Sequence, residues 1–198
     1  MLDKDLIKHG REFKGHIDRH DYEVTDGGIL FPKAGALAVG EYFVSSPGYE
    51  DSIEHNLLPT EGLNHLLMVA LKDTAKLNTF YLALYSGAYT PAAGLTAATF
   101  AASATELTSN TEGYSETVRQ TWTPGSAASG AIDNVASKAN FTIATATSVT
   151  IRGAALLSSN VKGGTAGVII SAARFAQDRT QYNTDVFTLG YRVRLSST

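Results

Sequence analysis

His16 and His20 stand four residues apart with Asp18 and Asp21 beside them, a spacing that sets two imidazoles on one helical face within reach of a divalent metal. The stretch lacks the glutamate of an H-E-x-x-H motif, and it follows a charged segment broken by Gly10 and Gly15 that offers little packing to hold ligands still. It reads as a solvated polar face, and no metal or other cofactor is expected. Glu50 and Asp51 form a carboxylate pair of the kind that does acid–base work when burial perturbs it, but nothing around them marks them as buried. "VKGGTAG", Val161 to Gly167, has the composition of a phosphate loop without its Gly-Lys-Ser/Thr ending. It joins two strand-like segments and reads as a hairpin turn. No serine stands in G-x-S-x-G, and the absence of cysteine removes thiolate nucleophiles, thiolate metal sites and disulfides. The expectation is a protein that is not an enzyme.

Two further groups of residues have the chemistry to bind. Tyr81, Tyr85, Tyr89 and Trp122 offer the rings of a sugar-stacking platform, although aromatics on strands more often fill cores because they bury the most area. Alternation with Val118 and Gln120 in "ETVRQTWT" puts Trp122 inward. The final segment, "DVFTLGYRVRLSST", sets Phe187, Leu189, Tyr191, Val193 and Leu195 on one side. Val186, Thr188, Gly190, Arg192 and Arg194 fall on the other. Arg192 and Arg194 thus face outward, either to keep an exposed strand hydrated and unpaired or to meet acids on a neighbouring subunit.

These residues must be held by a chain of 198 residues with 43% hydrophobic content, enough for one domain with a substantial core. Charge is uneven: residues 1–85 carry 13 acids and 8 bases, whereas residues 86–198 carry 6 acids and 8 bases among many Ala, Gly, Ser and Thr. A net charge of −3 gives no case for nucleic-acid binding. No apolar run is long enough to span a bilayer, and the charged N-terminus shows no secretory signal, so synthesis in a cytoplasm and no membrane partner are expected.

Residues 1–23 read as an arm. Leu2, Leu6, Ile7 and Phe13 make a helical stripe too thin to fold alone, so the arm is expected to order against a neighbour. Its bases Lys4, Lys8, Arg11, Lys14 and Arg19 join Arg192 and Arg194 as candidate interface residues. Residues 24–198 read as the body. It opens with a hairpin at Asp26-Gly27-Gly28. One helix follows in "TEGLNHLLMVALKDT", with Thr60 as N-cap and a stripe of Leu63, Leu66, Leu67, Ala70 and Leu71. "NTFYLALYSG", apolar on both faces, reads as a central covered strand, and the small-residue stretch from Ala88 to Gly113 as a long loop. Short strands then recur, punctuated by Pro124-Gly125, Asp133-Asn134 and Gly163-Gly164. The expected fold is mainly β, an antiparallel β-sandwich of jelly-roll type with one short helix.

The ordered phrases "FYLALYSGAYTP", "GYSETVRQTWT", "ANFTIATATSVTIRGAALLSS" and "ARFAQDRTQYNTDVFTLGYRVRL" make the chain resemble virion structural proteins of tailed bacteriophages over residues 78–198. The jelly-roll capsid cement, or decoration, proteins are the nearest comparison. The resemblance implies a homo-oligomeric structural protein on the capsid surface, bound to the major capsid protein and to its own copies. Tail, neck and fibre proteins of such virions share related architectures and give the first alternative. A carbohydrate-binding β-sandwich for host attachment gives the second.

Overall fold

A computed structural model describes the backbone of residues 23–25, 28–30 and 36–197 and the side chains of 37–196. The chain divides into two compact units, one holding residues 1–37 and 196–198, the other Ala38–Leu195. In the first, β1 (Glu23–Thr25) pairs antiparallel with β2 (Gly28–Leu30), so the hairpin expected around Asp26-Gly27-Gly28 is present. The arm expected over residues 1–23 lies outside the described residues, apart from Glu23.

The second unit is built of two antiparallel sheets. Its strands are β3 (Ala36–Ser45, entering from the first unit), β4 (Ser52–His55), β5 (Phe80–Tyr85), β6 (Gly113–Tyr114), β7 (Gln120–Trp122), β8 (Ala131–Asp133), β9 (Ala139–Ala144), β10 (Val149–Leu157), β11 (Ile169–Gln181) and β12 (Val186–Ser197). One sheet has the order β11-β10-β5-β7; the other runs β4-β3-β12-β9-β6, with β8 also paired to β12. The β-sandwich expected from the sequence is the fold observed.

Period-two patterning explains how the layers close. Leu82 and Leu84 of β5 and Ala154 and Leu156 of β10 point into the core between the sheets, with Tyr42, Phe141, Phe187, Leu189 and Tyr191 from the facing sheet. Their neighbours Ala83, Tyr85, Ala155 and Leu157 point the opposite way into a second apolar cluster. That cluster is roofed by a helix. Hence β5 is apolar on both faces, and all four residues Leu82–Tyr85 are fully buried. Gly153 belongs to this close packing, because a Cβ there would collide with the hydroxyl end of Tyr85 and with the Ala173 carbonyl.

The roofing helix, α2 (Ala97–Ala104), corrects the expected long loop. Thr96 and Thr99 cap its start reciprocally, and Phe100 anchors it against Tyr85 with ring centroids 6.1 Å apart. The expected helix, α1, runs Thr60–Leu71, with Pro59 rather than Thr60 at the N-cap position. Glu61 in its first turn accepts hydrogen bonds from Ala97 N (2.9 Å) and Ile169 N (2.8 Å), tying α1 to the start of both α2 and β11. Gly62 allows that approach: a Cβ would sit 2.6 Å from the Ile170 carbonyl oxygen.

Strand β7 is shorter than the alternation in "ETVRQTWT" suggests. Trp122 is buried as expected, donating Nε1–H to the Tyr191 carbonyl at 3.1 Å, but Val118 is exposed and Arg119 is fully buried. An ion pair takes precedence over apolar periodicity there. The Arg119 guanidinium meets Glu106 at 2.7 Å through both Nε and Nη2 and also reaches the Ser159 carbonyl at 2.9 Å.

Candidate functional site

The apolar stripe of α1 does not face the core. Leu63, Leu66, Leu67, Met68 and Leu71 are all exposed, Leu71 by 82%, and Gly62 is the only buried residue of the helix. The stripe predicts a helix, and the helix is there, but its larger apolar side chains point to solvent. From Gly62 to Leu71 the helix holds no Asp, Glu, Lys or Arg. A helix this apolar is normally covered. Five large hydrophobics on three turns form a patch of the kind that marks an interaction site.

Beside the helix the sandwich is open. A cleft of about 250 Å³ lies between Leu66 of α1 and Phe80, Trp122, Ile132 and Val193 at the strand ends. Leu156, Ile170 and Tyr191 from the inter-sheet core form part of its wall. His65 meets Phe80 edge-on at 6.4 Å, and Phe80 meets Trp122 likewise at 6.4 Å. Cleft and helix face together make an apolar knob and hole on one side of the unit. The wall is mostly apolar, with Lys76 and Asn78 among its lining residues. It can receive another apolar protein surface.

The charged groups are largely consumed within the fold. Arg192 is held by Asp133 of its paired strand β8, Nε to Oδ2 at 2.9 Å, with Glu41 of β3 at 3.7 Å and the Phe43 ring beneath it at 4.8 Å. Hydrogen bonding from Arg192 holds the Asp133 carboxyl below its ordinary range. The expected acids on a neighbouring subunit are therefore met first by acids of the same chain, because the cross-strand register sets Arg192 opposite Asp133. Arg194, opposite Ala131, is exposed.

Arg152 and Arg174 share Asp178 at 2.7 and 2.6 Å, where β11 carries extra residues against β10. The Arg152 hydrogen bond leads in lowering the Asp178 pKa. Arg179 is buried beneath Tyr49 and donates to Ser46 Oγ, the Glu50 carbonyl and Ser52 Oγ. Burial lowers its pKa.

The "VKGGTAG" stretch joins β10 to β11 as the expected turn and adds a lock. Lys162 Nζ lies 3.5 Å from the Tyr114 ring centre and donates to Asn110 Oδ1 and the Tyr114 carbonyl, each at 2.8 Å. Burial pushes its pKa down to about 8, against the nearby charges of Glu116 and Glu106. Gly163 N donates to Glu106 Oε2 at 3.0 Å, so the turn also closes over the buried ion pair.

The four aromatics of the suggested sugar platform do not form one. Tyr85 and Trp122 are buried, and the Tyr85 hydroxyl donates to the Ala173 carbonyl at 2.8 Å. Glu50 and Asp51 are exposed, as expected of solvated acids. Among the described residues no cluster of three or more His, Asp or Glu is placed to hold a metal ion, and no helix is long and apolar enough to cross a membrane. His16, His20, Lys4, Lys8, Arg11, Lys14 and Arg19 lie outside the described residues.

The α1 surface is the feature the sequence reading missed. Its signal was present as a helical run too apolar to be amphipathic, Leu-Leu-Met-Val-Ala-Leu over 66–71. No protein-family model matches the chain, and no curated protein matches it.

Proposed function

We propose that this chain is a structural virion protein, a capsid cement or decoration protein of a tailed bacteriophage that binds the major capsid protein and other copies of itself. The observation that carries the reading is the exposed, uncharged apolar face of α1 beside an apolar cleft, a surface suited to lasting protein contact. The resemblance of residues 78–198 to phage virion structural proteins supplies the setting. A rigid two-sheet body fits a cement role, which asks for contact area and resistance to deformation. Weak individual contacts become firm when many copies sit on one particle.

The test is reconstitution. Purified protein added to phage heads that lack it is expected to co-sediment with them and to raise the temperature at which they release DNA. Binding to isolated tails but not to heads would move the protein to the tail or neck. Binding to glycans with no affinity for either would replace the reading with host attachment.

A further inference from the structure

We infer that residues 49–61 form a strap that keeps the long outer edge of β11 from pairing with the same edge of a second copy of this chain.

β11 is an edge strand of its sheet and runs for 13 residues. The other edge strands of the two sheets are short: three residues in β7, four in β4 and two in β6. A long bare edge is a row of unpaired N–H and C=O groups that templates pairing with another chain. Edges of equal length satisfy each other most fully. The partner that a bared β11 selects is therefore the β11 of another copy, antiparallel about a two-fold axis.

The strap meets that edge at four points. Thr180 N donates to the Tyr49 hydroxyl at 2.8 Å, Ala176 N to Glu54 Oε2 at 2.9 Å and Ile169 N to Glu61 Oε2 at 2.8 Å. Leu57 and Ala172 exchange backbone hydrogen bonds at 2.9 and 3.0 Å. The partners advance along the strap as they retreat along β11, so the segment runs antiparallel to the strand. Yet at three of the four points a side-chain oxygen stands where a strand carbonyl would be. The strap satisfies the edge without continuing the sheet.

Both sheets anchor it. Its middle, β4, pairs with β3 of the opposite sheet. From β11 the buried Arg179 reaches Ser46 Oγ, the Glu50 carbonyl and Ser52 Oγ, beneath the Tyr49 ring. Ser52 Oγ in turn donates to Glu54 Oε1 at 2.6 Å, fixing the carboxylate that covers Ala176 N. Glu54 is only 7% exposed, so its charge points inward across the edge. An inward-pointing charge is one of the ways proteins block edge-to-edge pairing.

Hydrogen exchange at the Ala176 and Thr180 amides, with sedimentation of the full chain, tests the strap. Glu54→Ala removes the acceptor of Ala176 N. In dilute solution this variant is expected to exchange the Ala176 amide about tenfold faster than the parent. At high concentration it is expected to form dimers in which both amides are protected again. Glu54→Gln keeps a side-chain oxygen to accept the bond and is expected to behave as the parent does. Tyr49→Phe keeps the ring over Arg179 and removes only the bond from Thr180 N, so it decides the matter if Glu54→Ala does not fold. Faster exchange at Thr180, reversed by concentration, is expected of it. Parent-like exchange in the folded variants overturns the inference. So does an opened edge that stays monomeric, or a dimer that leaves these amides unprotected.

Discussion

Glu106 and Arg119 form a two-pronged ion pair with both side chains completely buried, at 2.7 Å through each prong. The pair joins three distant segments: the residues just after α2, the approach to β7, and the turn between β10 and β11. Its role is to hold those connections together, and removing one partner leaves the other charged and dry. Arg119→Met is expected to cost about 3–5 kcal/mol. Adding Glu106→Leu to it should recover much of that loss. Urea denaturation of the parent and both variants measures it, and a double variant as unstable as the single one would count against the ion pair as the cause.

Trp122 fills the core end of the cleft and donates to the Tyr191 carbonyl. Trp122→Ala is expected to destabilise the unit by about 3–5 kcal/mol, the usual cost of deleting a large buried aromatic. Thermal melting checks this. Unchanged melting with lost partner binding would make Trp122 a surface contact instead.

The two arginines of β12 should behave differently. Arg192→Ser removes a part-buried hydrogen bond to Asp133 and is expected to cost about 1–2 kcal/mol, whereas Arg194→Ser at an exposed position should stay within about 0.5 kcal/mol. The Asp133 pKa is depressed in the folded state, so its stabilising contribution is present above its unfolded value, about 3.9, and is lost as pH falls through the lower folded value. Denaturation curves at neutral pH and below pH 4 are expected to converge for parent and Arg192→Ser as the pH drops. A constant difference would mean that the pair does not titrate as described.

Tyr42, Tyr85, Tyr114 and Tyr191 keep their hydroxyls protonated because burial disfavours the phenolate; for Tyr191 the pKa is pushed up to about 12. Folded values lie above unfolded ones, so this contribution is fully present below about pH 10 and disappears as pH rises beyond it. Phenolate absorbance should therefore appear in two stages: exposed tyrosines first, then the buried set together with loss of circular dichroism. A single smooth titration with the fold intact would contradict the burial.

The sequence carried the parts of this fold that depend on local period. β5 was legible because Phe80–Tyr85 is apolar at every position, and only a strand covered on both faces tolerates that. β12 was legible as far as Tyr191; beyond it Val193 is only partly buried and Leu195 is exposed, where the strand pairs with β8. Long-range pairing was not legible. Nothing near Arg119 announces Glu106, and nothing in the β12 pattern announces that Asp133 will sit opposite Arg192. Helix α2 was hidden by its small residues, with Phe100 as its one large apolar anchor. The α1 stripe shows the limit most clearly. Periodicity identified which residues share a face, but what that face meets depends on the other elements around it.

The cement role proposed for this protein is tested most directly by its copy number in purified particles, measured by quantitative mass spectrometry. The account predicts an abundance comparable with that of the major capsid protein, retained on heads freed of tails. A handful of copies lost with the tails, or none at all, would contradict it.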